Sequence, residues 1–352
     1  MASITDVARL AGVSITTASR VLNPVAGYPI AAPTRQRVLA AAEAVQYSPS
    51  AIARALVTRR SRIVGAIVGD IVDPYFAEIV RGVEDVARRA GYMVVVCNTD
   101  RDPATERRYV ATLRDYRADA ILFLGGDFHD EEGRRQLEQE IALARRNGTV
   151  AMALAGERGD LPTVDVDHRA GAREMAEYLI ELGHRRIGFI AGPGVVQTAQ
   201  LRLSGFRDAA AAAGVESSLV AEGGFTYAGG QAAAARLLAC RPTALFAAND
   251  EMGIGALAAV REARLRVPDD VTVVGFGDTA RARQSVPALT SVSMPRQEMG
   301  AVAMEAVLAA LGPAKGSVES RIVAHHLVVR GSAGPPARHG ELNGRARIAT
   351  AS

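Results

Sequence analysis

Two sets of side chains in this 352-residue chain are of types and spacing that could do chemistry, and in both cases the chemistry is binding. The first lies near the N-terminus. Ile15, Thr16, Ser19 and Arg20 fall on one helical face, opposite Ala18, Val21 and Leu22. Short polar groups with one arginine suit a helix lying in a DNA major groove. The second set is spread along the remaining chain, in loops that follow apolar runs. It comprises Asp70, Asp73, Tyr75 and Phe76; Gly125 to Asp127; Asp165 and Asp167; Gly192 to Arg202; Phe225; Asn249 and Asp250; and Asp278. Aromatic faces stack on a polyhydroxylated or planar polar ligand, and charged forks fix its hydroxyls or ring heteroatoms. Each of these residues has an alternative structural use: Asp250 could cap a helix, and Tyr75 and Phe76 could be helix-start packing.

The elements that must position the first set are short helices. Residues 4–23 read as a helical hairpin. Thr5 or Asp6 can cap the first helix, Val7, Ala8, Leu10 and Ala11 give it an apolar face, and Gly12 can end it in a left-handed conformation. Ser14 is a natural N-cap for the second helix. After a Pro/Gly-containing loop at 23–33, Thr34 can cap a third helix whose Val38, Leu39, Ala42 and Val45 close a small core. Residues 50–61 read as a linker or a short helix that forms on DNA. Leu56 is then available as an apolar wedge in the minor groove, and Arg54, Arg59 and Arg60 face phosphates. Residues 1–61 hold seven arginines against two acids, a net +5, whereas the remainder carries −2. That is the electrostatic footprint of phosphate contact.

From residue 62 the periodicity changes to apolar strands alternating with helices. Continuous apolar runs such as RIVGAIVG, YMVVVCN and DAILFLGG suit parallel strands covered on both faces. The predicted fold is α/β: an N-terminal helix-turn-helix domain (1–48), a hinge (49–61), and a bilobal core (62–330) of two parallel-sheet subdomains. The subdomains are expected at about 62–160 plus 293–330, and at 163–290, with RIVAHHLVVR as a single last strand. The polar tail 331–352 is expected to be disordered. Ligands in such sheets bind outside the carboxyl ends of the strands.

The rest of the sequence offers little to catalysis. Gly253-Ile-Gly255 falls inside a helix rather than at a strand end, and neither a P-loop nor a G-x-S-x-G elbow occurs. His129, His168 and His184 sit beside charged neighbours at element ends and read as solvated. Cys97 and Cys240 form neither a metal spacing nor a disulfide framework. The expectation is a cytoplasmic protein with no metal, no cofactor and no membrane span. Against the regulator reading stands a soluble sugar-binding protein or enzyme with an N-terminal helical module.

Over about residues 3–330 the chain resembles the LacI/GalR family of bacterial transcription regulators. The strings that carry the resemblance are TDVARLAGVSITTASRVLN, YSPSAIARAL, DPYFAEIVRGVEDVARRAGY, NTDRDPATERRYVATL, VDHRAGAREMAEYLIELGHRRIGFIAG, RLSGF, FAANDEMGIGAL and PALTSV. The resemblance implies a homodimer, most simply a repressor, that reads a near-palindromic operator. It also implies lobes like those of periplasmic sugar-binding proteins, with a sugar-like or purine effector in the cleft. The family's base-reading positions fall on Ile15, Thr16 and Arg20; Thr5, Ser14, Thr17, Ser19 and Arg54 are further candidates for DNA contact. Its hinge leucine falls on Leu56, beside Ala53. Its effector positions fall on Asp73, Tyr75, Phe76, Thr198, Arg202, Phe225 and Asn249. The usual late-strand aspartate is replaced by Gly277, so Asp278 either swings into that role or the effector differs at this point. The tail has no leucine heptad, which favours a dimer.

Overall fold

The computed structural model describes residues 2–22, 29–48, 55, 58, 60–125, 130–156, 158–312 and 318–337. The chain divides into two units, Met1–Arg62 and Ile63–Ser352.

The first unit contains α1 (Ile4–Ala11), α2 (Ile15–Leu22) and α3 (Ala32–Ala44). Ser3, not Thr5 or Asp6, caps α1. Its Oγ accepts from the Asp6 backbone N–H at 3.3 Å, and the Asp6 carboxylate accepts from Ser3 N at 3.0 Å, a reciprocal box that satisfies two orphan donors. Gly12 ends the helix at φ +65°, and Ser14 Oγ accepts from Thr17 N at 3.0 Å at the start of α2. Thr34 does not cap α3. That helix begins at Ala32 with Pro33 in its first turn, where proline's fixed φ suits the helix and its missing N–H is not needed. The core is small: Val7, Ala8, Ala11, Ala18, Val21, Val38, Ala41 and Ala42. Leu10 and Leu39 were expected in it but are 57% and 47% exposed. Each lies about 100° round its helix from the buried face, so a small alanine-rich core closes without them.

The second unit runs β1 (Ile63–Val68), α4 (Pro74–Arg89), β2 (Met93–Asn98), α5 (Pro103–Asp115), β3 (Ala120–Leu124), α6 (Glu131–Arg146), β4 (Val150–Leu154), β5 (Thr163–Val166), α7 (His168–Glu181), β6 (Ile187–Ala191), α8 (Gln197–Ala212), β7 (Val220–Glu222), α9 (Tyr227–Leu238), β8 (Ala244–Ala247), α10 (Asp250–Glu262), β9 (Thr272–Gly277), α11 (Ala280–Gln284), β10 (Thr290–Ser293), α12 (Arg296–Leu311), β11 (Arg321–Val323) and β12 (His326–Val328). Among the described residues these strands form two six-stranded sheets. One has the order β11-β5-β4-β3-β1-β2 and is parallel throughout. The other has the order β12-β10-β9-β8-β6-β7, with only β12 antiparallel. β1, β3 and β9 are buried along nearly their whole length, which is why they read as unbroken apolar runs.

The lobe division differs from the expected one. Thr163–Val166 pairs in the first sheet, and RIVAHHLVVR is two strands: Arg321–Val323 in the first sheet and His326–Val328 in the second. The chain therefore crosses between lobes after Val166, after Ser293 and at Ala324–His325. Strands of three or four residues lack the length to announce which sheet they join. α12 returns to pack on α4 through Gly82 and Gly300. A Cβ at either would stand 1.9 or 2.1 Å from a backbone oxygen of the facing helix.

The start of the expected disordered tail is ordered. Ser332 is buried, donating to Val273 O at 2.6 Å and accepting from Thr290 N at 2.8 Å, while Gly334 O accepts from Thr272 Oγ1. The His184 ring is buried between Thr243 Oγ1 and Gly334 O, each at 2.9 Å, rather than solvated. These bonds satisfy strand-end polar groups that the fold would otherwise leave buried and unpaired. Residues 338–352 lie outside the described part.

Candidate functional site

On α2, Ala18 and Val21 are buried in the three-helix core, which turns Ile15, Thr16 and Arg20 outward. Ile15 is 49% exposed, a large apolar side chain presented to solvent beside polar ones. Ser14 and Thr17 bond to each other at 2.9 Å, so their hydroxyls fix the start of the helix. Thr5 is exposed on α1, and Ser19 is half-buried. Ala53, Arg54, Leu56 and Arg59 lie outside the described residues, as do Gly126, Asp127 and His129.

In the second unit the carboxyl ends of the strands from both sheets face one cleft, of about 670 Å³ of space open to solvent. Asp73, Tyr75, Phe76, Arg101, Gly125 and Ala155 line it from the first lobe. Thr198, Arg202, Phe225, Asn249, Phe276 and Gly277 line it from the second, together with Val196, Asp250, Glu251 and Thr279. The structure thus brings together seven of the eight sequence candidates for the effector and leaves out Asp278.

Most of these side chains are placed by helix starts. Asp73 is the N-cap of α4, its Oδ1 accepting from Tyr75 N at 2.9 Å, and Arg101 Nη2 stands 3.8 Å from Oδ2. Burial nevertheless raises the Asp73 carboxyl above its usual range. Tyr75 is pushed up by burial and by Asp165, and its ring meets Phe76 edge-on at 5.2 Å. Asn249, rather than Asp250, caps α10: Oδ1 accepts from Met252 N, while Nδ2 donates to Phe225 O at 3.2 Å. Phe225 sits at φ +61°, a costly backbone for an aromatic residue, and its ring lies against Gly192, where a Cβ would be 2.3 Å away. Thr198 is buried in the first turn of α8, one turn before Arg202. The Arg202 guanidinium is buried 4.1 Å above the Phe276 ring.

Asp278 turns away from the cleft. Gly277 has φ +133° and Asp278 φ +53°, a backbone path that sends the carboxylate to Arg330 at 2.6 Å and Arg283 at 3.4 Å. The carboxylate at the cleft floor is instead that of Asp250. Its two oxygens accept from Ser291 Oγ and Thr279 N, both at 2.6 Å, yet burial dominates and raises its pKa. Arg296 ties this floor to the first lobe, donating to Gly277 O, to Asp278 O at 2.9 Å and to Glu78 Oε2 at 2.8 Å.

Sequence reasoning passed over Arg101 and Glu251 and misread His168. His168 is buried beneath Arg202, 3.0 Å from Asp165. Its signal was present in V-D-V-D-H, a histidine just past the carboxyl end of a strand. Arg101 likewise follows β2, in a turn where both Asp100 and Arg101 have positive φ.

A helix-turn-helix unit joined to a two-lobed ligand cleft defines a class: ligand-responsive DNA-binding regulators. Residues 3–50 match the family described as bacterial regulatory proteins, lacI family, and residues 176–333 match the periplasmic binding protein-like domain. The HTH-type transcriptional regulator DegA of Bacillus subtilis (strain 168) is 35% identical over 304 residues, spanning 85% of this chain and 88% of DegA. The ribose operon repressor of Escherichia coli (strain K12) is 35% identical over 312 residues, 88% of this chain and 92% of the repressor. The lac repressor dimer bound to operator and the anti-inducer ONPF superposes with a TM-score of 0.81 at 26% identity, covering 94% of this chain and 98% of that one. The transcriptional regulator CelR–cellobiose complex gives 0.69 at 32% identity, covering 95% and 100%. The chain belongs to the LacI family of bacterial transcription regulators, which are DNA-binding proteins rather than enzymes. Among the described residues no helix is long and apolar enough to cross a membrane.

Proposed function

We propose that the chain acts in the cytoplasm as a homodimeric repressor of a near-palindromic operator, and that a sugar or sugar derivative in the interlobe cleft changes its DNA affinity. Residues 1–48 act as the DNA reader, 49–61 as the hinge and 62–330 as the effector core. Ile15, Thr16 and Arg20 read base edges, with Thr5, Ser14, Thr17 and Ser19 around them and Ala53, Arg54 and Leu56 at the hinge. Asp73, Tyr75, Phe76, Thr198, Arg202, Phe225 and Asn249 hold the effector. The observation that carries this reading is the cleft itself, in which the Phe225 and Phe276 rings flank the Arg202 guanidinium at the carboxyl ends of the strands. The sugar class takes support from relatives named for ribose and cellobiose, and the purine alternative from relatives named PurR. Thermal shift against ribose, cellobiose, sugar phosphates and purines identifies the effector, because a ligand bound only to the native state raises its stability. Fluorescence anisotropy on the chain's own upstream DNA, with and without that compound, then gives the direction of control. Unchanged DNA affinity with every compound that shifts melting would overturn the reading.

A further inference from the structure

Among the described residues no carboxylate forms a hydrogen bond or ion pair with the cleft's buried arginine. Arg202 Nη1 donates to Ala248 O at 2.6 Å, Nε and Nη2 both point at His168 Nδ1, at 3.3 and 3.2 Å, and Nη2 also points at Met294 Sδ at 3.9 Å. A guanidinium carries only donors and keeps its charge, so Nδ1 must be bare. The ring proton of a neutral imidazole then sits on Nε2, a buried nitrogen 3.0 Å from Asp165 Oδ1 but outside hydrogen-bond geometry with it. The three groups span the lobe crossing. Asp165 is on β5 in the first sheet, His168 is the first residue of α7 just past the crossing, and Arg202 is on α8 in the second lobe.

We propose that His168 is the positioning residue for Arg202: as a neutral, Nε2-protonated imidazole it fixes how the guanidinium faces the effector, and protonation at Nδ1 releases it. The proposal rests on reading the cleft as the effector site. A second proton would place an N–H against two guanidinium N–H groups, so the cationic ring cannot keep this arrangement. Asp165 on β5 and Asp167 in the turn before α7 favour that cation, whereas Arg202 on α8 opposes it. Tyr75 on α4 interacts electrostatically with Asp165 and Arg202. Burial is the largest influence and holds the imidazole below its usual range.

The test uses the full chain labelled with 15N-histidine and 15N-arginine and needs no effector. His168 is assigned by its loss in His168→Asn, and Arg202 by its loss in Arg202→Met. The expected spectrum shows the Nε2–H form of His168 at neutral pH and an Arg202 Nε–H signal protected from exchange. That protection fades as His168 titrates in acid. It survives in His168→Asn, whose Oδ1 can stand in for Nδ1, and is lost in His168→Phe. Arg202→Met raises the His168 midpoint by about one unit, since a neighbouring cation has gone. An Nδ1–H tautomer in the wild-type protein, or an Arg202 signal indifferent to both pH and His168→Phe, overturns the proposal. If His168→Phe does not fold, the wild-type tautomer and the Arg202→Met shift decide alone. A protein that bound none of the sugars or purines would leave these signals unchanged, so the two readings fail separately.

Discussion

The Asp250 carboxylate lies directly beneath the bare α-carbon of Gly277, where a Cβ would stand 3.3 Å from Asp250 Oδ2 and 3.8 Å from Arg296 Nη1. With Gly277 at φ +133°, a conformation side chains rarely adopt, the end of β9 is built for glycine. Gly277→Asp therefore does not simply install a ligand carboxylate. It brings two acids together and strains the backbone, at a cost of about 1–3 kcal/mol in urea unfolding. A variant as stable as the parent would show that the turn can re-form around a side chain.

Gly192 sets the pose of the Phe225 ring, with three ring atoms between 2.3 and 2.9 Å of the position its Cβ would take. Gly192→Ala should push the ring toward the cleft. The expected result is a smaller effector-induced thermal shift with little loss of basal melting temperature, measured on the same compound panel. An undiminished shift would mean that the ring does not meet the ligand.

Acid stability should follow the buried imidazoles. Burial lowers the pKa of both His168 and His184, so the folded state takes up their protons at lower pH than the unfolded chain does, near 6.5. Their stabilisation is complete above that value and is lost as pH falls from it through the folded-state pKa. The slope is at most ~1.4 kcal/mol per pH unit for each group. Urea titrations between neutral and mildly acid pH should show the decline, and His184→Gln should flatten part of it.

Ser332 ties the last described segment to β9 and β10, with both its side-chain bonds buried. Ser332→Ala leaves the Thr290 N–H without its acceptor and should cost about 1–3 kcal/mol. Removal of everything after Arg330 should cost at least as much, read by thermal melting. A neutral truncation would show that this segment is only draped on the sheet.

The DNA contacts separate by chemistry. Ile15→Ala and Thr16→Ala should relax base preference at single operator positions, each by about 1–3 kcal/mol of discrimination. Affinity for every sequence should fall as salt rises, because phosphate contacts release counterions. Anisotropy titrations on single-base operator variants distinguish the two effects, and a flat salt response would remove the basic segment from the interface.

Much of this arrangement was legible because helix caps and strand ends have local signatures. Asp73 before Pro74 and Asn249 two residues past an apolar strand mark helix starts, and those starts are where the cleft residues stand. The pattern failed where local signals tie. Asn249 and Asp250 are both good caps; the fold gives the cap to Asn249 and buries Asp250 against Ser291. His168 and His184, with charged neighbours in sequence, read as solvated. His168 opens α7, where the charges adjacent in the chain point away from the helix's buried side, and His184 lies in the turn before β6, buried by Thr243 and Gly334 from distant parts of the chain.

From the sequence alone came the helical hairpin with Ile15, Thr16 and Arg20 outward, the two α/β lobes and seven residues of the cleft. The helical face, the lobes and the strand-end loops rest on periodicity, a property of neighbouring residues, while the choice of those seven among the loop residues rests on the resemblance to the LacI/GalR family. Tertiary structure alone decided which sheet β5, β11 and β12 join, that Asp278 pairs with Arg330 rather than facing the cleft, and that Arg202 rests on His168. The Arg202–His168 contact joins residues 34 positions apart, the Asp278 path turns on a backbone angle at one glycine, and strands of three or four residues carry too little pattern to name their sheet.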